Sequence, residues 1–480
     1  MTRVVCLAGA TALVAAALLP SSSAAAAASR SSAPPKLLVE LHTAKAWLGS
    51  SAVSLQGERD PVAMMSSWVY PPTELLAFRP AVNESAPAWV EDTTKDLKYQ
   101  TLYVASAKGR TSALPAGSVD SLAFWNRKPD GIIGECSLFG FDSAAAPDIS
   151  FGPARKGSWH ANLTSDCSNI NGAVPWPRFA LSADGATAAA WTQDAKGDIT
   201  VYCLDGQTGA LRWNVSVPCG TPAQCDFFLS YGVDVSDDGR WVVFDDGIIG
   251  GGPHRINVLA AADGKPRCKP VPSPDPVSAH ISPDGDFLYT SEDAANPSTG
   301  FFATWRWNAS AAAYSRVGEG KPPVASGAHG WTSAEYAFSL DPASGATLLG
   351  VVWFDTTLQG DSLLAVYDAA DPAAGPRSSF VMQGLTNGFA NAGAVVDCAG
   401  ALCAAGFWTQ RVGGPQNTLV ALSGADPAFR FNFTTPGSVD AVSLRHDAAA
   451  DVYYLLGVGC QSLGVCTKPG GDAYLFELSP

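Results

Sequence analysis

RFALSADGATAAAW (residues 178–191), YGVDVSDDGRWVVF (231–244) and VSAHISPDGDFLYT (277–290) share one plan. Each is a short apolar strand, a turn built on Ser-x-Asp-Gly, and a second apolar strand. Asp-Gly between two apolar runs is a strong hairpin signal, because glycine accepts a positive φ that strains any residue with a Cβ. Weaker versions of the hairpin stand at AFSLDPASGATLLGVVWF, AVVDCAGALCAAGFW and AVSLRHDAAADVYYLLG. The chain repeats a unit.

A polar, glycine-rich loop and another alternating strand follow each hairpin. Seven such strands are clear: GECSLFGFDS, KGDITVYCLD, GGPHRINVLAAAD, STGFFATWRWN, QGDSLLAVYDAAD, GGPQNTLVALSGAD and GGDAYLFELS. A fainter eighth, PTELLAFRP, precedes them. The copies begin near residues 74, 136, 198, 254, 301, 362, 417 and 472. Their spacings run from 47 to 62 residues, and such a period, made of short strands and turns with no helical pattern, is that of a four-stranded propeller blade. One blade leaves both faces of its sheet exposed, and a ring of blades buries them. The prediction is an all-β chain forming a single β-propeller of eight four-stranded blades. Seven is the alternative, since the first copy is the weakest and residues 43–100 are poorly periodic. The last copy ends on its third strand, and KLLVELH (36–42) is a strand left over at the other end. Pairing the two closes the ring without a free edge, with Leu37, Val39 and Leu41 facing inward.

Gly360 to Leu363 reads Gly-Asp-Ser-Leu, the signature of an esterase and lipase family whose serine is the nucleophile. That family supplies its base from a downstream Asp-x-x-His, and none of the six histidines has an aspartate three residues earlier. A serine without its base is not activated. In the repeat, Ser362 takes the place of Ile199 and Ala473 at the start of a strand. The tetrapeptide is a turn.

Two resemblances follow from the repeat. Ser282 to Gly285, SPDG, resembles the repeats of TolB-type propellers, and LDGQTGALRWNV (204–215) is similar to those of pyrroloquinoline-quinone propellers. The second implies that Trp213 packs between blades. It would also imply a quinone-dependent dehydrogenase, but those enzymes carry a vicinal disulfide beneath the cofactor. This chain has no Cys-Cys pair. No cofactor is expected.

The chain opens MTRVVCLAGATALVAAALLPSSSAAAAA: one basic residue, an apolar run, a proline and small residues. This layout predicts a signal peptide over residues 1–28, a linker over 29–35 and the propeller over 36–480. The apolar run is short and alanine-rich for a membrane span. Secretion is the expectation, with no membrane-spanning segment. With Cys6 removed, ten cysteines remain, an even number for an oxidising route. Three close pairs predict local loops: Cys219–Cys225, Cys398–Cys403 and Cys460–Cys466. The other four allow three connectivities, of which Cys136–Cys167 with Cys203–Cys268 is preferred. Asn-x-Ser/Thr sequons at Asn83, Asn162, Asn214, Asn308 and Asn432 predict N-glycosylation in a eukaryotic host. The net charge of −14 argues against a nucleic-acid partner, which requires a cationic surface.

Candidate chemistry is sparse. No P-loop, dinucleotide fingerprint, H-E-x-x-H or G-x-S-x-G is present. Asp237-Asp238 and Asp245-Asp246 lack the alternating spacing of a calcium loop and read as solvated turn carboxylates. The fourteen tryptophans, Trp305 and Trp307 on one strand face among them, fit blade packing better than sugar stacking. One polar pair stands apart. Two residues before the turn serine, successive copies carry Ala180, Asp234 and His280. Asp234 and His280 therefore occupy equivalent places on innermost strands of neighbouring blades. They predict a carboxylate–imidazole bond joining two blades, or a polar channel site. The reading favoured is an extracellular binding or adhesion module for a glycan or protein ligand. Its rival is a secreted propeller enzyme (a hydrolase, lactonase or quinoprotein-like oxidoreductase) with residues converging at the channel mouth.

Overall fold

The computed structural model describes residues 34–43, 47–55, 61–68, 74–79, 89–92, 100–107, 117–127, 135–144, 158–164, 178–194, 198–218, 232–246, 254–273, 279–291, 300–323, 331–355, 361–382, 394–407, 418–461 and 470–480. The signal-peptide prediction lies outside them. The described strands make eight antiparallel sheets, the blades of an eight-bladed β-propeller. Blades 1 to 7 span 47–92, 100–164, 178–217, 233–273, 281–320, 331–382 and 394–433. Each sheet runs in chain order from its first, innermost strand to its fourth. In blade 5 the first strand is reduced to a bridge between Ile281 and Leu288. The eight third strands, from Glu74–Phe78 to Gly471–Leu478, coincide with the eight sequence copies.

Blade 8 is built from both ends of the chain. Val439–Asp447, Val452–Cys460 and Gly471–Leu478 are its first three strands, and Lys36–Thr43 is the fourth. Lys36 stands opposite Glu477 and Thr43 opposite Gly471. The closing strand departs from the expected alternation at a bulge between Leu37 and Val39. The extra residue resets the pleat. Leu37 is thus 42% exposed rather than inward, and Leu38, Val39 and Leu41 pack on the core. On the same seam His42 faces its cross-strand partner Asp472, Nδ1 to Oδ1 at 2.8 Å, with its Nε2 3.1 Å from Glu40 Oε1.

The core is a chain of inter-blade layers, and period-two alternation creates it. In blade 1, Ala52, Met64, Leu75 and Ala77 pack against blade 2, whereas Val53, Met65, Leu76 and Phe78 pack against blade 8. Such layers join blades 2–3, 3–4, 4–5–6, 6–7 and 7–8 in turn. The ring is closed by its own side chains. Ser362 belongs to this packing. It is 2% exposed at the start of a third strand, opposite Phe354 and Met382.

The Ser-x-Asp-Gly turns have one hydrogen-bond scheme in blades 3, 4 and 5. Ser182, Ser236 and Ser282 each donate Oγ–H to the aspartate two residues on, Asp184, Asp238 or Asp284. Each accepts the N–H five residues on, from Thr187, Trp241 or Phe287, at 2.8–3.1 Å. Gly185, Gly239 and Gly285 supply the positive φ of +67°, +67° and +77°. Successive turns also bond to each other: Ala183 N–H donates to Asp237 O, and Asp237 N–H to Pro283 O. No helix among the described residues is long and apolar enough to cross a membrane.

Candidate functional site

The structure brings Asp234 and His280 together on the first strands of blades 4 and 5. Asp234 is buried, and its Oδ2 lies 3.3 Å from His280 Nδ1. The same Oδ2 accepts Ile281 N–H at 3.3 Å, and Oδ1 accepts Val235 N–H at 2.8 Å. One carboxylate thereby holds the backbone of two blades. Facing a carboxylate acceptor, Nδ1 is the ring nitrogen that donates. His280 extends the link to blade 6: its N–H donates to the Tyr336 hydroxyl at 2.9 Å, and the rings meet edge to face at 5.1 Å. Burial drives the Tyr336 phenol well above its ordinary pKa, and Asp234, Asp245 and Glu335 add to the effect. It stays protonated at any physiological pH.

A second joint of the same design links blades 7 and 8. Asp397 Oδ1 accepts Cys398 N–H at 3.0 Å, and Oδ2 accepts Leu444 N–H at 2.9 Å and Arg445 Nη1 at 2.8 Å. Arg445 reaches further, donating Nε–H to Ala107 O at 3.1 Å and Nη2–H to Ser106 Oγ at 3.2 Å in blade 2. Ser106 Oγ–H then donates to Val53 O, and Val53 N–H to Ser443 Oγ. Blades 7, 8, 1 and 2 are knit near the axis. Sequence reasoning missed this joint because it aligned copies by their turns. Blade 7 turns through only Gly400 and Ala401, which puts Asp397 out of step with Asp234. An aspartate on a first strand, followed one blade later by a basic residue on the next first strand, was the signal available.

The remaining candidate groups are engaged structurally. Asp238 pairs with Arg240, as a solvated turn carboxylate does. Asp245 and Asp246, by contrast, are buried, and Asp246 pairs with Arg255 at 2.9 Å. That corrects their reading as solvated, since they end a second strand rather than form a turn. No cluster of three or more metal-ligating side chains occurs among the described residues. Trp305 and Trp307 pack on the blade 4–6 core. Trp213 donates Nε1–H to Ala261 O at 3.0 Å and lies against Gly264 of the next blade. Arg267 is stacked between Trp241 and Trp307, 4.1 and 4.0 Å from their ring centroids. Protein groups occupy these aromatic faces.

Cys398 and Cys403 form a disulfide across the blade 7 hairpin. It packs against blade 6 where Gly350 stands, and a Cβ there would lie 2.7 Å from Cys398 Sγ. Cys136 and Cys460 are disulfide-bonded. The pairings predicted for them, with Cys167 and Cys466, and the Cys219–Cys225 loop lie outside the described residues. The expected Cys203–Cys268 bond is not formed, and both are free thiols. Cys203 faces the blade 3–4 layer, whereas Cys268 packs on the blade 4–6 layer. The sheet of blade 4 stands between them. Burial pushes the Cys203 thiol up to about 12, and raises Cys268 as well, so neither is a ready nucleophile.

No family profile matches the chain, and no curated protein matches it in sequence. Solved structures do. A structure titled the Dos1 propeller is 11% identical over 92% of this chain and 95% of its own, with a TM-score of 0.51. Sqt1 of Saccharomyces cerevisiae is 9% identical over 92% and 99%, with a TM-score of 0.53. At such identity the likeness is one of fold alone, and propellers host unrelated functions.

Proposed function

We propose that the chain is a secreted, disulfide-stabilised propeller that binds a glycan or protein ligand outside the cell. One observation carries this reading: two carboxylates of the innermost strands, Asp234 and Asp397, are engaged in joining blades. Asp234 and Asp397 each accept two backbone N–H groups and one basic side chain. An axis used this way makes a rigid scaffold, and rigid scaffolds present ligands with preorganised surfaces. The signal-like start, the paired cysteines and the acid-rich composition support an extracellular setting. The test is to express the full chain in a eukaryotic secretory host and collect it from the medium. It is then probed on arrays of glycans and of cell-surface ectodomains. Saturable binding that survives His280→Ala supports the proposal.

A second reading rests on His280 itself. Its side chain is 29% exposed while Asp234 orients Nδ1, which is the arrangement of a general base. Turnover of ester or lactone substrates that His280→Ala abolishes would replace the binding reading with a hydrolytic one.

A further inference from the structure

A third carboxyl, Asp120, takes no part in the two joints above. It directly precedes the second strand of blade 2, Ser121–Arg127, and is 0% exposed. Its backbone is fixed on both sides. Asp120 N–H donates to Phe141 O at 3.2 Å, and its carbonyl accepts Ala107 N–H at 2.9 Å. The side chain is thereby held against blade 1. Ser54, the last residue of that blade's first strand, donates its hydroxyl to Oδ2 at 2.5 Å, and Ser143 donates its own to the same oxygen at 2.6 Å. Oδ1 accepts Ser143 N–H at 2.8 Å. Both serines are buried. Blades 1 and 2 share this joint.

Its donors set it apart. Asp234 has His280 and Asp397 has Arg445, whereas Asp120 pairs with no basic side chain among the described residues. The first strands packed on it, Trp47–Ser54 and Gln100–Ser106, hold no charged residue. Asp142, beside Ser143, adds a like charge. Two cations stand nearby, each engaged elsewhere. Arg79 donates to Ala144 O, and Arg445 donates to Ala107 O and Ser106 while paired with Asp397. An ionised Asp120 is therefore a buried charge with neutral donors only, which is strongly unfavourable. A neutral carboxyl is not. The two hydroxyls allow the change in place, because each can donate or accept. A proton on Oδ2 is given to one hydroxyl while the other goes on donating to that oxygen. No heavy atom has to move. Burial accordingly raises the Asp120 pKa above its ordinary value, Asp142 adds to the effect, and the hydrogen bonds from Ser143 and Ser54 oppose it.

We propose that Asp120 is a proton-binding joint, which holds blades 1 and 2 together as a neutral acid in acidic surroundings and loosens them when it ionises. A carboxyl whose folded pKa is raised stabilises fully below its unfolded value, and that contribution is lost as pH rises through the folded one. The ring is thus tightest at blades 1 and 2 in acid. This holds whatever ligand the propeller takes.

The test is denaturant unfolding of the full chain and of its Asp120→Asn variant from about pH 4 to about pH 8. The amide keeps the shape, with Oδ1 accepting Ser143 N–H and Nδ2 donating to the two hydroxyls, and it has no proton to lose. The unfolding constant of the wild type relative to the variant should rise with pH, by at most about tenfold per pH unit, and then level off. The variant should match the wild type in acid and exceed it in stability at neutral pH. A ratio independent of pH overturns the proposal, as does a variant that is the less stable at neutral pH. Should Asp120→Asn fail to fold, hydrogen exchange of the wild type decides. Protection of the Ala107, Asp120 and Ser143 amides, corrected for intrinsic exchange and referenced to blade 3, should fall as pH rises. Asp142→Asn should move the midpoint of that fall to lower pH, since it removes the like charge, and His42→Gln should leave it in place. Protection that stays level with pH, or a fall that His42→Gln abolishes, overturns the assignment to Asp120.

Discussion

The joint between blades 4 and 5 and the joint between blades 7 and 8 use the same part differently. In both, an aspartate on one first strand accepts a backbone N–H from its own strand and one from the next. The side chain that completes the set is His280 in the first and Arg445 in the second. Arg445 is always charged, is 9% exposed and spans to blade 2. His280 bonds at 3.3 Å, keeps 29% of its side chain exposed and ends at Tyr336 one blade on. The carboxylate–backbone bonds are therefore the general device. The basic partner decides how many blades a joint commits.

Joints in this ring can be ranked by what their loss exposes. The seam at the chain ends stands above both carboxylate joints, because it is a whole strand. A chain shortened to begin at Ala44 loses the seven paired positions of Lys36–Thr43 and the packing of Leu38, Val39 and Leu41. A fully buried aliphatic side chain is worth about 1.5–3 kcal/mol, so three half-buried ones contribute roughly 2–5 kcal/mol before any edge effect. Against a typical net stability of about 5–15 kcal/mol, the shortened chain should misfold or aggregate. Yield of folded protein and thermal unfolding measure this. A shortened monomer with an unchanged melting temperature would put the latch elsewhere and leave the two carboxylate joints as the main closure.

Arg445→Ala comes next. Removing Arg445 leaves a half-buried carboxylate without its cation, so the loss should lie below the roughly 3–5 kcal/mol of a fully buried pair, at roughly 2–3 kcal/mol. Here Asp397, Ser106 and Ala107 all lose a donor. His280→Ala removes one long hydrogen bond and an edge-to-face contact while the backbone bonds to Asp234 and Tyr336 persist. It should cost about 1 kcal/mol. Denaturant unfolding of the two variants sharpens the comparison directly. Equal losses would mean that the basic partner does not decide the strength of a joint.

Most of the ring was legible in the sequence, since the eight third strands and the closing strand repeat a period-two pattern with turn chemistry between them. The Asp234–His280 contact was legible for the same reason: both follow the Ser-x-Asp-Gly register. Asp397 and Arg445 were not, because that register ends where blade 7 shortens its turn to Gly400 and Ala401. The free thiols were hidden for a different reason. Cys203 and Cys268 lie in adjacent blades, but only the three-dimensional alternation of faces puts a sheet between them. Sequence period locates strands well; it says less about which layer a side chain enters once a bulge or a connecting turn resets the phase.

The smallest expected effect probes a third acid–base pair, at the seam. The hydrogen bond from His42 to Asp472 raises the His42 pKa above its ordinary value, and Glu40 adds to it. A histidine whose folded pKa is raised stabilises fully below its unfolded pKa, and that contribution is lost as pH rises through the folded value. The closing strand should therefore hold more tightly at about pH 6 than at about pH 8. Glu40, Asp472 and Tyr474 are the titratable groups facing the ring, and Gln461 shares Asp472 through Nε2. Half of the His42 side chain is in solvent, so screening keeps the effect small and salt-sensitive. Hydrogen exchange reads it locally. Protection of the Lys36–Thr43 amides, corrected for the intrinsic pH dependence of exchange and referenced to blade 3, should fall modestly between those pH values. His42→Gln should flatten the dependence while leaving the Asp234 and Asp397 joints untouched. An unchanged slope in that variant would assign the pH response to another group and remove His42 from the closure.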